Sequence, residues 1–224
     1  MIAEERGCVC VFAKPPRPGE AKTRLTPELG DAGAAALARA FFVDTWETVS
    51  RLSWAEAVLA TTDVADSEWS FLDRARVWPQ GDGSLGHRLA RVLQRALHEF
   101  PFAIAVGADS PGLPAAFLES ACAALRETDA VLGPSDDGGF YLIGLRRCPA
   151  DLLANLPWSA PDTFACTRRR LDSRGFDTKV LPPWFDVDRP DDLRRLERRI
   201  EEGALRAPET ARALAGLRRA EASP

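Results

Sequence analysis

The sequence has few of the residues from which metal centres and disulfide frameworks are built. Its 224 residues include two histidines and five cysteines, and no two cysteines are spaced as CxxC. A zinc site is therefore not expected, because such sites need clustered cysteine and histidine ligands. We expect the cysteines to be free thiols, as is usual in the reducing interior of a cell.

Long apolar runs and an excess of positive charge are also missing. No apolar stretch approaches the roughly 20 residues of a membrane-spanning helix. The first residues, MIAEERG, carry acids where a secretory signal would have basic and then apolar residues. The net charge of −4 gives no overall field that would attract nucleic acid. The sequence thus predicts a cytoplasmic protein with no membrane span, in which any anion site is local.

Two common nucleotide-binding signatures are absent from the loop that follows the first predicted strand. Residues 12–25 contain neither GxxxxGK[ST] nor GxGxxG, so a P-loop or a dinucleotide-binding Rossmann site is not expected there. There is no internal repeat and no low-complexity stretch. A length of 224 residues favours one domain, or one domain with an appendage.

Short apolar runs alternate with helical patterns along the chain, which predicts an α/β fold with a mostly parallel sheet and helices on both faces. The connection before the run at 138–145 is too short for a crossover helix, so this strand should be antiparallel or at an edge, and the sheet mixed. The predicted strands are 8–13, 55–61, 76–80, 102–109, 130–135 and 138–145, and the predicted helices of this part are 31–52, 84–99 and 114–126.

The last third of the chain predicts mainly helices. Patterns at 152–157 and 163–175 indicate two short helices, 178–188 an extended segment, and 189–203 a charged helix. We predict one domain over residues 1–205. Residues 206–224 form an appended amphipathic helix, which either packs on the surface or serves a partner.

A basic loop follows the first strand. The stretch FAKPPRPGEAKTRL (12–25) presents Lys14, Arg17, Lys22 and Arg24 around three prolines and Gly19. Lysine and arginine both suit phosphate oxygens, and glycine lets the backbone approach a ligand. The alternative is a solvated turn that happens to be basic, because exposed charges often bind nothing.

Acidic residues follow two other apolar stretches. Asp109 ends a predicted strand, and Asp186 and Asp188 alternate on an extended segment just before Pro190, so both should point to one face. In open α/β sheets, ligands bind beyond the carboxyl ends of the strands. Two separated acids near a basic loop would suffice for Mg²⁺-assisted phosphate chemistry. The alternative for Asp109 is a turn-forming or helix-capping role.

Five motifs together carry a family resemblance: FAKPPRPGEAKTRL, QGDGSLGHRL (80–89), VGADSPGLP (106–114), LGPSDDGGFYLIGL (132–145) and FDVDRPDDL (185–193). In this order they resemble the bacterial glycosyltransferase-A-like transferases associated with radical-SAM and selenium domains. That family is similar to 2-phospholactate guanylyltransferase and, more distantly, to molybdenum-cofactor guanylyltransferase and CMP-sugar-acid synthetases. The resemblance implies a single-domain glycosyltransferase-A (nucleotide-diphospho-sugar transferase) fold.

The resemblance also implies roles for individual residues. Lys22 corresponds to the lysine that closes the signature loop and contacts phosphates, and Arg189 replaces the usual threonine beside the second metal ligand. The implied catalytic residues are Lys22, Lys14 and Asp109; the nucleotide-binding residues are Lys14, Gly19, Lys22, Arg24, Gln80, Gly81 and Gly83; the metal ligands are Asp109 and Asp188; and the acceptor-binding residues are Asp136, Asp137, Gly138, Gly139 and Trp158.

Several of these positions keep an ordinary structural alternative. The Gln80–Gly83 stretch could be a turn and the cap of the next helix, with Ser84 as its capping residue. The pair Asp136 and Asp137 could be turn chemistry, and Trp158 could belong to the core. His87 is expected on a helix surface.

The resemblance implies a transferase that uses Mg²⁺ (or Mn²⁺), a nucleotide and a small-molecule acceptor. Nucleotidyl transfer from a nucleoside triphosphate is favoured, because the lysine-closed loop and the DVD motif resemble that branch. Glycosyl transfer from a nucleotide sugar and a non-catalytic nucleotide-binding module remain alternatives. No nucleic acid partner is expected, and a homodimer is compatible with the sequence.

Overall fold

The computed structural model describes residues 5–221, and within that range the chain forms one seven-stranded sheet with six α-helices. Two single-turn 3₁₀ helices, Ser67–Trp69 and Arg74–Arg76, lie between the second and third strands. The elements follow in the order β1 (Gly7–Ala13), α1 (Thr26–Ser50), β2 (Ala55–Thr61), β3 (Val77–Pro79), α2 (Leu85–Glu99), β4 (Ala103–Gly107), α3 (Ala115–Leu125), β5 (Ala130–Pro134), β6 (Phe140–Leu145), α4 (Thr163–Ser173), β7 (Thr178–Val180), α5 (Pro190–Glu201) and α6 (Pro208–Glu221).

The sheet is mixed and mostly parallel, as predicted. Its strand order is β3-β2-β1-β4-β6-β5-β7, and only β6 runs antiparallel to its two neighbours. The antiparallel prediction for β6 is confirmed, but this strand lies between β4 and β5 rather than at an edge. The carboxyl ends of β1, β2 and β4 therefore meet at one edge of the sheet. Because β2 and β4 lie on opposite sides of β1, the strand order reverses at β1, and a ligand-binding cleft is expected at the carboxyl end of this strand.

Helices cover both faces of the sheet, which confirms the predicted layers. Along β1, Val9 and Val11 join the apolar cluster under α1, α3, α5 and α6, whereas Cys8 and Cys10 join the cluster under α2 and α4. This alternation is what a strand buried on both faces requires. All five cysteines are free thiols.

Two helix predictions differ from the structure. The helix α1 begins at Thr26, before the predicted Asp31, because Gly30 takes up a kink with a φ of 66°. The predicted helix at 152–157 is absent: residues 152–155 form turns, and residues 156–157 have no regular secondary structure. Arg170 on α4 donates to the backbone carbonyls of Asp151, Leu152 and Ala154, and it holds the segment in that turned form.

The final helix packs against α1. Asp44 of α1 is buried and accepts hydrogen bonds from the backbone N–H groups of Glu209 and Thr210 and from the Thr210 hydroxyl. It thereby caps the first turn of α6 from another helix. Of the two roles considered for this helix, packing on the domain is the one observed. The domain boundary at residue 205 stays a prediction, and residues 222–224 lie outside the described range.

Within residues 5–221, no helix combines the length and the apolarity that crossing a bilayer requires.

Candidate functional site

The loop between β1 and α1 is stiff and is anchored at both ends. Pro15 and Pro16 are buried, and Leu25 at its end is fully buried beneath α1. Gly19 has a φ of 77° and Lys22 a φ of 48°. A lysine in this left-handed region is uncommon, and such conformations concentrate at binding sites. The loop therefore presents Lys22 in a fixed direction.

Lys22 forms ion pairs with both of the predicted metal ligands. Its Nζ lies 2.7 Å from an Asp109 oxygen and 2.8 Å from an Asp188 oxygen. The Lys22 side chain is 5% exposed, whereas those of Asp109 and Asp188 are 60% and 49% exposed. The loop after β1, the end of β4 and the segment before α5 thus converge at one place.

The charges in this cluster reinforce one another. Burial alone would lower the pKa of Lys22, but the charges of Asp109 and Asp188 outweigh burial and raise that pKa. Burial would likewise raise the pKa of Asp188, but Lys22, Arg24 and Arg189 together outweigh burial, and the pKa is lowered. Both shifts indicate that the Lys22–Asp188 pair is fully ionised near neutral pH.

A third carboxylate, that of Asp186, lies close enough to Asp109 and Lys22 for their charges to affect it. Asp186 accepts a hydrogen bond from Ser110. Its pKa is raised to about 6, chiefly by burial, with contributions from the charges of Asp109 and Asp137. The backbone N–H of Val187 donates to the carbonyl of Asp109 at 3.0 Å. The segment before α5 is therefore tied to the residues that follow β4 at two consecutive positions, Asp186 and Val187.

Asp192 fixes the backbone on which Asp188 stands. Its carboxylate accepts the N–H groups of Asp188, at 3.1 Å, and Arg189, at 2.8 Å. The sequence reasoning missed this residue. The sequence does carry a signal for it. Asp192 stands three positions after Arg189, the residue that precedes α5, and an acid at that spacing before an apolar run is typical of a capping box.

The other three cations of the loop, Lys14, Arg17 and Arg24, differ in their ion-pair partners. Arg24 lies 3.4 Å from Asp188 and is exposed. Lys14 is exposed and has no ion pair or hydrogen bond of its side chain within residues 5–221. Arg17 instead pairs with Asp63 and Asp66 beyond β2, so it ties two loops together.

The Gln80–Gly83 loop is locked to the same edge of the sheet. The Gln80 side chain donates from Nε2 to the carbonyl of Ala60 at 2.8 Å and reaches that of Ala13 at 3.5 Å. Arg91 of α2, which the sequence reasoning missed, donates to the carbonyls of Gln80 and Asp82. A Cβ on Gly81 would lie 2.4 Å from the Arg91 guanidinium. The side-chain N–H₂ group of Gln80 thus donates to backbone carbonyls, and the side-chain oxygen Oε1 is the group that remains for a ligand.

Ser84 precedes α2, as predicted, but its hydroxyl bonds Nδ1 of His87 at 2.9 Å and caps no backbone N–H. His87 is exposed on the first turn of α2, as expected.

The turn at 135–139 holds its two acids in different ways. Asp136 pairs with Arg195 of α5 at 2.6 Å. Asp137 accepts from the Ser135 hydroxyl and from the N–H of Gly139. Gly138 has a φ of 89°, and its carbonyl accepts from the N–H of Phe164. The acceptor-binding role of these residues stays a prediction.

Trp158 packs edge-on against Phe140 with ring centroids 5.9 Å apart, and its Nε1 is buried with no hydrogen-bond partner among the described residues. A Cβ on Gly86 would lie 2.7 Å from that nitrogen. This packing against β6 and α2 favours the core alternative for Trp158.

The residues fit a divalent cation held partly by a ligand. Within the described residues, no group of three or more histidine, cysteine, aspartate or glutamate side chains is arranged to hold a metal. Asp109 and Asp188 do converge on one point, and Mg²⁺ commonly takes one or two carboxylates together with phosphate oxygens and water.

The whole fold is shared with solved structures. A protein from Desulfovibrio desulfuricans G20, provisionally assigned as a nucleotide-diphospho-sugar transferase, is 29% identical, covers 95% of this chain and 97% of its own, and superposes with a TM-score of 0.85. CMP:2-keto-3-deoxy-manno-octonic acid synthetase, solved with CTP, is 13% identical, with coverages of 88% and 99% and a TM-score of 0.58. The 4-diphosphocytidyl-2C-methyl-D-erythritol synthase of Anaerococcus prevotii DSM 20548 is 12% identical, with coverages of 88% and 96% and a TM-score of 0.59.

The protein therefore has the nucleotide-diphospho-sugar transferase fold of glycosyltransferase-A type, as the resemblance implied. Residues 45–160 match the model of DUF2064, a family described as an uncharacterized protein conserved in bacteria, and the chain belongs to that family. No curated protein matches the chain.

Proposed function

We propose that this protein is a transferase that uses a nucleoside triphosphate or a nucleotide sugar, and that its reaction is Mg²⁺-dependent nucleotidyl transfer. The observation that carries the proposal is the meeting of Lys22 with Asp109 and Asp188 at the carboxyl edge of the sheet. The similarity to a provisionally assigned nucleotide-diphospho-sugar transferase supports the same class of substrate. The proposal includes a cytoplasmic location and membership of the radical-SAM and selenodomain-associated branch.

In nucleotidyl transfer, an acceptor oxygen attacks the α-phosphate of the triphosphate, and pyrophosphate leaves. Lys14, Lys22 and Arg24 would stabilise the negative charge on the pentacoordinate phosphorus and on the leaving group. Asp109 and Asp188 would hold the cation, which neutralises phosphate oxygens when it is bound. Gln80 would contact the base through its free oxygen, and Gly19, Gly81 and Gly83 would let the backbone approach the nucleotide.

Glycosyl transfer is the second candidate, with the same loop holding a nucleotide diphosphate. An alcohol acceptor would then need a base, for which Asp136 and Asp137 are the candidates. Asp136 is paired with Arg195, and Asp137 is bonded to Ser135 and Gly139. A carboxylate that is held by such partners would have to leave them before it could take the proton of an acceptor hydroxyl. This arrangement favours nucleotidyl transfer.

Product analysis distinguishes the candidates. A thermal-shift screen of nucleotides and nucleotide sugars, each with Mg²⁺ and with EDTA, first identifies the donor, because a ligand of the native state raises apparent stability. The donor is then incubated with the small-molecule fraction of a bacterial extract. Pyrophosphate released from a triphosphate supports the proposal, nucleoside diphosphate released from a sugar supports the second candidate, and binding without either product indicates a non-catalytic module.

A further inference from the structure

The ammonium of Lys22 stands where a divalent cation would have to bind. Its Nζ is within 2.8 Å of oxygens from both Asp109 and Asp188, and the side chain is almost completely buried between them and Phe41, whose ring centre is 5.8 Å from Nζ. A cation held between the two carboxylates would compete with Lys22 for them. In this arrangement Lys22 contacts acids and is covered, so it is not placed to meet a phosphate.

The charge balance of the cluster disfavours the entry of either ligand alone. A divalent cation that entered alone would meet the buried positive charge of Lys22 a few ångströms away. A polyphosphate that entered alone would meet Asp109 and Asp188, which are about half exposed. When both enter, the cation can take the carboxylates and Lys22 can turn to the phosphates, so that each charge keeps a partner. Charge repulsion in a partly desolvated cleft is strong enough to govern such an order.

From these contacts we propose that Lys22 occupies the cation position of the ligand-free protein, so that the divalent cation and the polyphosphate bind cooperatively. The inference rests on the proposed function for the identity of the polyphosphate, but its first step, the competition between Lys22 and the metal, does not. Coupling of this kind is reciprocal: the polyphosphate raises metal affinity by the same factor by which the metal raises polyphosphate affinity.

The competition is tested by Mn²⁺ binding without nucleotide, followed through the electron paramagnetic resonance signal of the free ion. Three proteins are compared: the wild type, Lys22→Met and Arg24→Met. Arg24 is the matched control, because it also neutralises Asp188, at 3.4 Å, but is exposed and does not bridge the two acids. We expect Lys22→Met to bind Mn²⁺ at least about tenfold more tightly than the wild type, and Arg24→Met to change affinity by less than about threefold. Equal effects of the two substitutions, or weaker binding by Lys22→Met, would overturn the proposal.

A second measurement uses the wild type alone, so it does not depend on a variant that folds. The sequence contains three lysines, Lys14, Lys22 and Lys179, and ¹⁵N labelling of the side-chain nitrogens gives one signal for each. The probe of the phosphate site is inorganic tripolyphosphate. Millimolar Mg²⁺ alone should leave the Lys22 signal in place, whereas Mg²⁺ with tripolyphosphate should shift it. A full shift with Mg²⁺ alone, or no shift with both ligands together, would contradict the exchange.

These results are separable from the failure of the proposed function. If Lys22→Met tightens Mn²⁺ binding but the wild type transfers no nucleotidyl group, the competition between Lys22 and the metal is supported and the proposed reaction is wrong. If the wild type releases pyrophosphate but Lys22→Met and Arg24→Met change Mn²⁺ affinity equally, the proposed reaction is supported and the competition is wrong.

Discussion

The hydroxyl of Ser110 donates a hydrogen bond to the carboxylate of Asp186, and this contact joins the end of β4 to the segment that leads into α5. Ser110 follows Asp109 directly, and Asp186 stands two residues before Asp188. The two acids that meet at Lys22 are therefore supported by a partly buried hydrogen bond between their chain neighbours. Cross-bracing of this kind fixes functional side chains more firmly than their own exposed contacts can.

Asp186 should make the stability of the protein depend on pH. Burial raises its pKa to about 6, above the ordinary value of about 3.9, so the folded state holds this proton more tightly than the unfolded state. The resulting stability is complete below about pH 4, decreases as the pH rises to about 6 and is absent above that pH. The Asp186→Asn variant keeps an acceptor for Ser110 and removes this titration.

Denaturant unfolding of the wild type and Asp186→Asn in EDTA, at several pH values from 4 to 7.5, measures the effect. The free energy of unfolding of the wild type, relative to the variant, should fall by about 2 to 3 kcal/mol over this range. Parallel pH profiles would show that Asp186 is not the responsible group.

Asp109→Ala should remove metal-dependent turnover and leave the fold in place. Asp109 is 60% exposed, and Lys22 is its ion-pair partner among the described residues, so the variant loses few contacts. Removal of a group that stabilises a transition state typically lowers kcat by about 10²- to 10³-fold. The measurements are product formation with the donor found in the screen and the thermal unfolding midpoint. Asp172→Ala on α4, which removes another half-exposed carboxylate, is the control and should keep full activity. Unchanged turnover in Asp109→Ala would exclude Asp109 from the mechanism.

Much of the fold follows from local patterns. The strand Ala55–Thr61 has the predicted bounds, because a run of apolar residues is flanked there by polar turn residues. The position of β6 between β4 and β5 was not predicted, because strand order depends on pairing between residues that are distant in sequence. The segment 152–157 was predicted as a helix from its apolar pattern. Its turned form depends on hydrogen bonds from Arg170, a tertiary contact that a local pattern does not show.

The site was predictable where it depends on strand ends and not where it depends on the choice of side-chain partner. Asp109 follows a buried strand, and that placed it at the correct edge of the sheet. Lys14 and Arg17 lie in the same basic loop, yet Lys14 is exposed and has no side-chain partner within residues 5–221, whereas Arg17 pairs with Asp63 and Asp66. The partner of a long charged side chain is set by tertiary structure, which a single sequence does not specify.

The docking of α6 on α1 should depend on Asp44. Its carboxylate accepts three hydrogen bonds from Glu209 and Thr210, and loss of a buried acceptor leaves these donors unsatisfied. Asp44→Ala should lower the free energy of unfolding by about 1 to 3 kcal/mol and speed amide hydrogen exchange in the first turn of α6. Asp44→Asn, which keeps one acceptor oxygen, should show a smaller effect. Unchanged exchange at residues 209–211 in Asp44→Ala would mean that other contacts hold the helix.

Gly138 should tolerate no side chain, because a Cβ there would clash with neighbouring backbone. Comparison with Gly175 separates this clash from backbone strain. Gly138 and Gly175 both have a positive φ, of 89° and 68°. A Cβ on Gly138 would lie 2.0 Å from the carbonyl oxygen of Pro161, whereas a Cβ on Gly175 would meet nothing within 4 Å. Alanine at either position therefore carries the strain of about 1 kcal/mol, but only Gly138→Ala must also push the turn at 135–139 away from the segment that contains Pro161.

We expect Gly138→Ala to lose acceptor-dependent turnover while it still binds the nucleotide, because within residues 5–221 no hydrogen bond or ion pair joins the 135–139 turn to the β1–α1 loop. Gly175→Ala should keep both properties and lose only stability. Nucleotide affinity and turnover, measured side by side for the two variants and the wild type, test this expectation. Equal turnover in Gly138→Ala and Gly175→Ala would show that the 135–139 turn takes no part in acceptor binding.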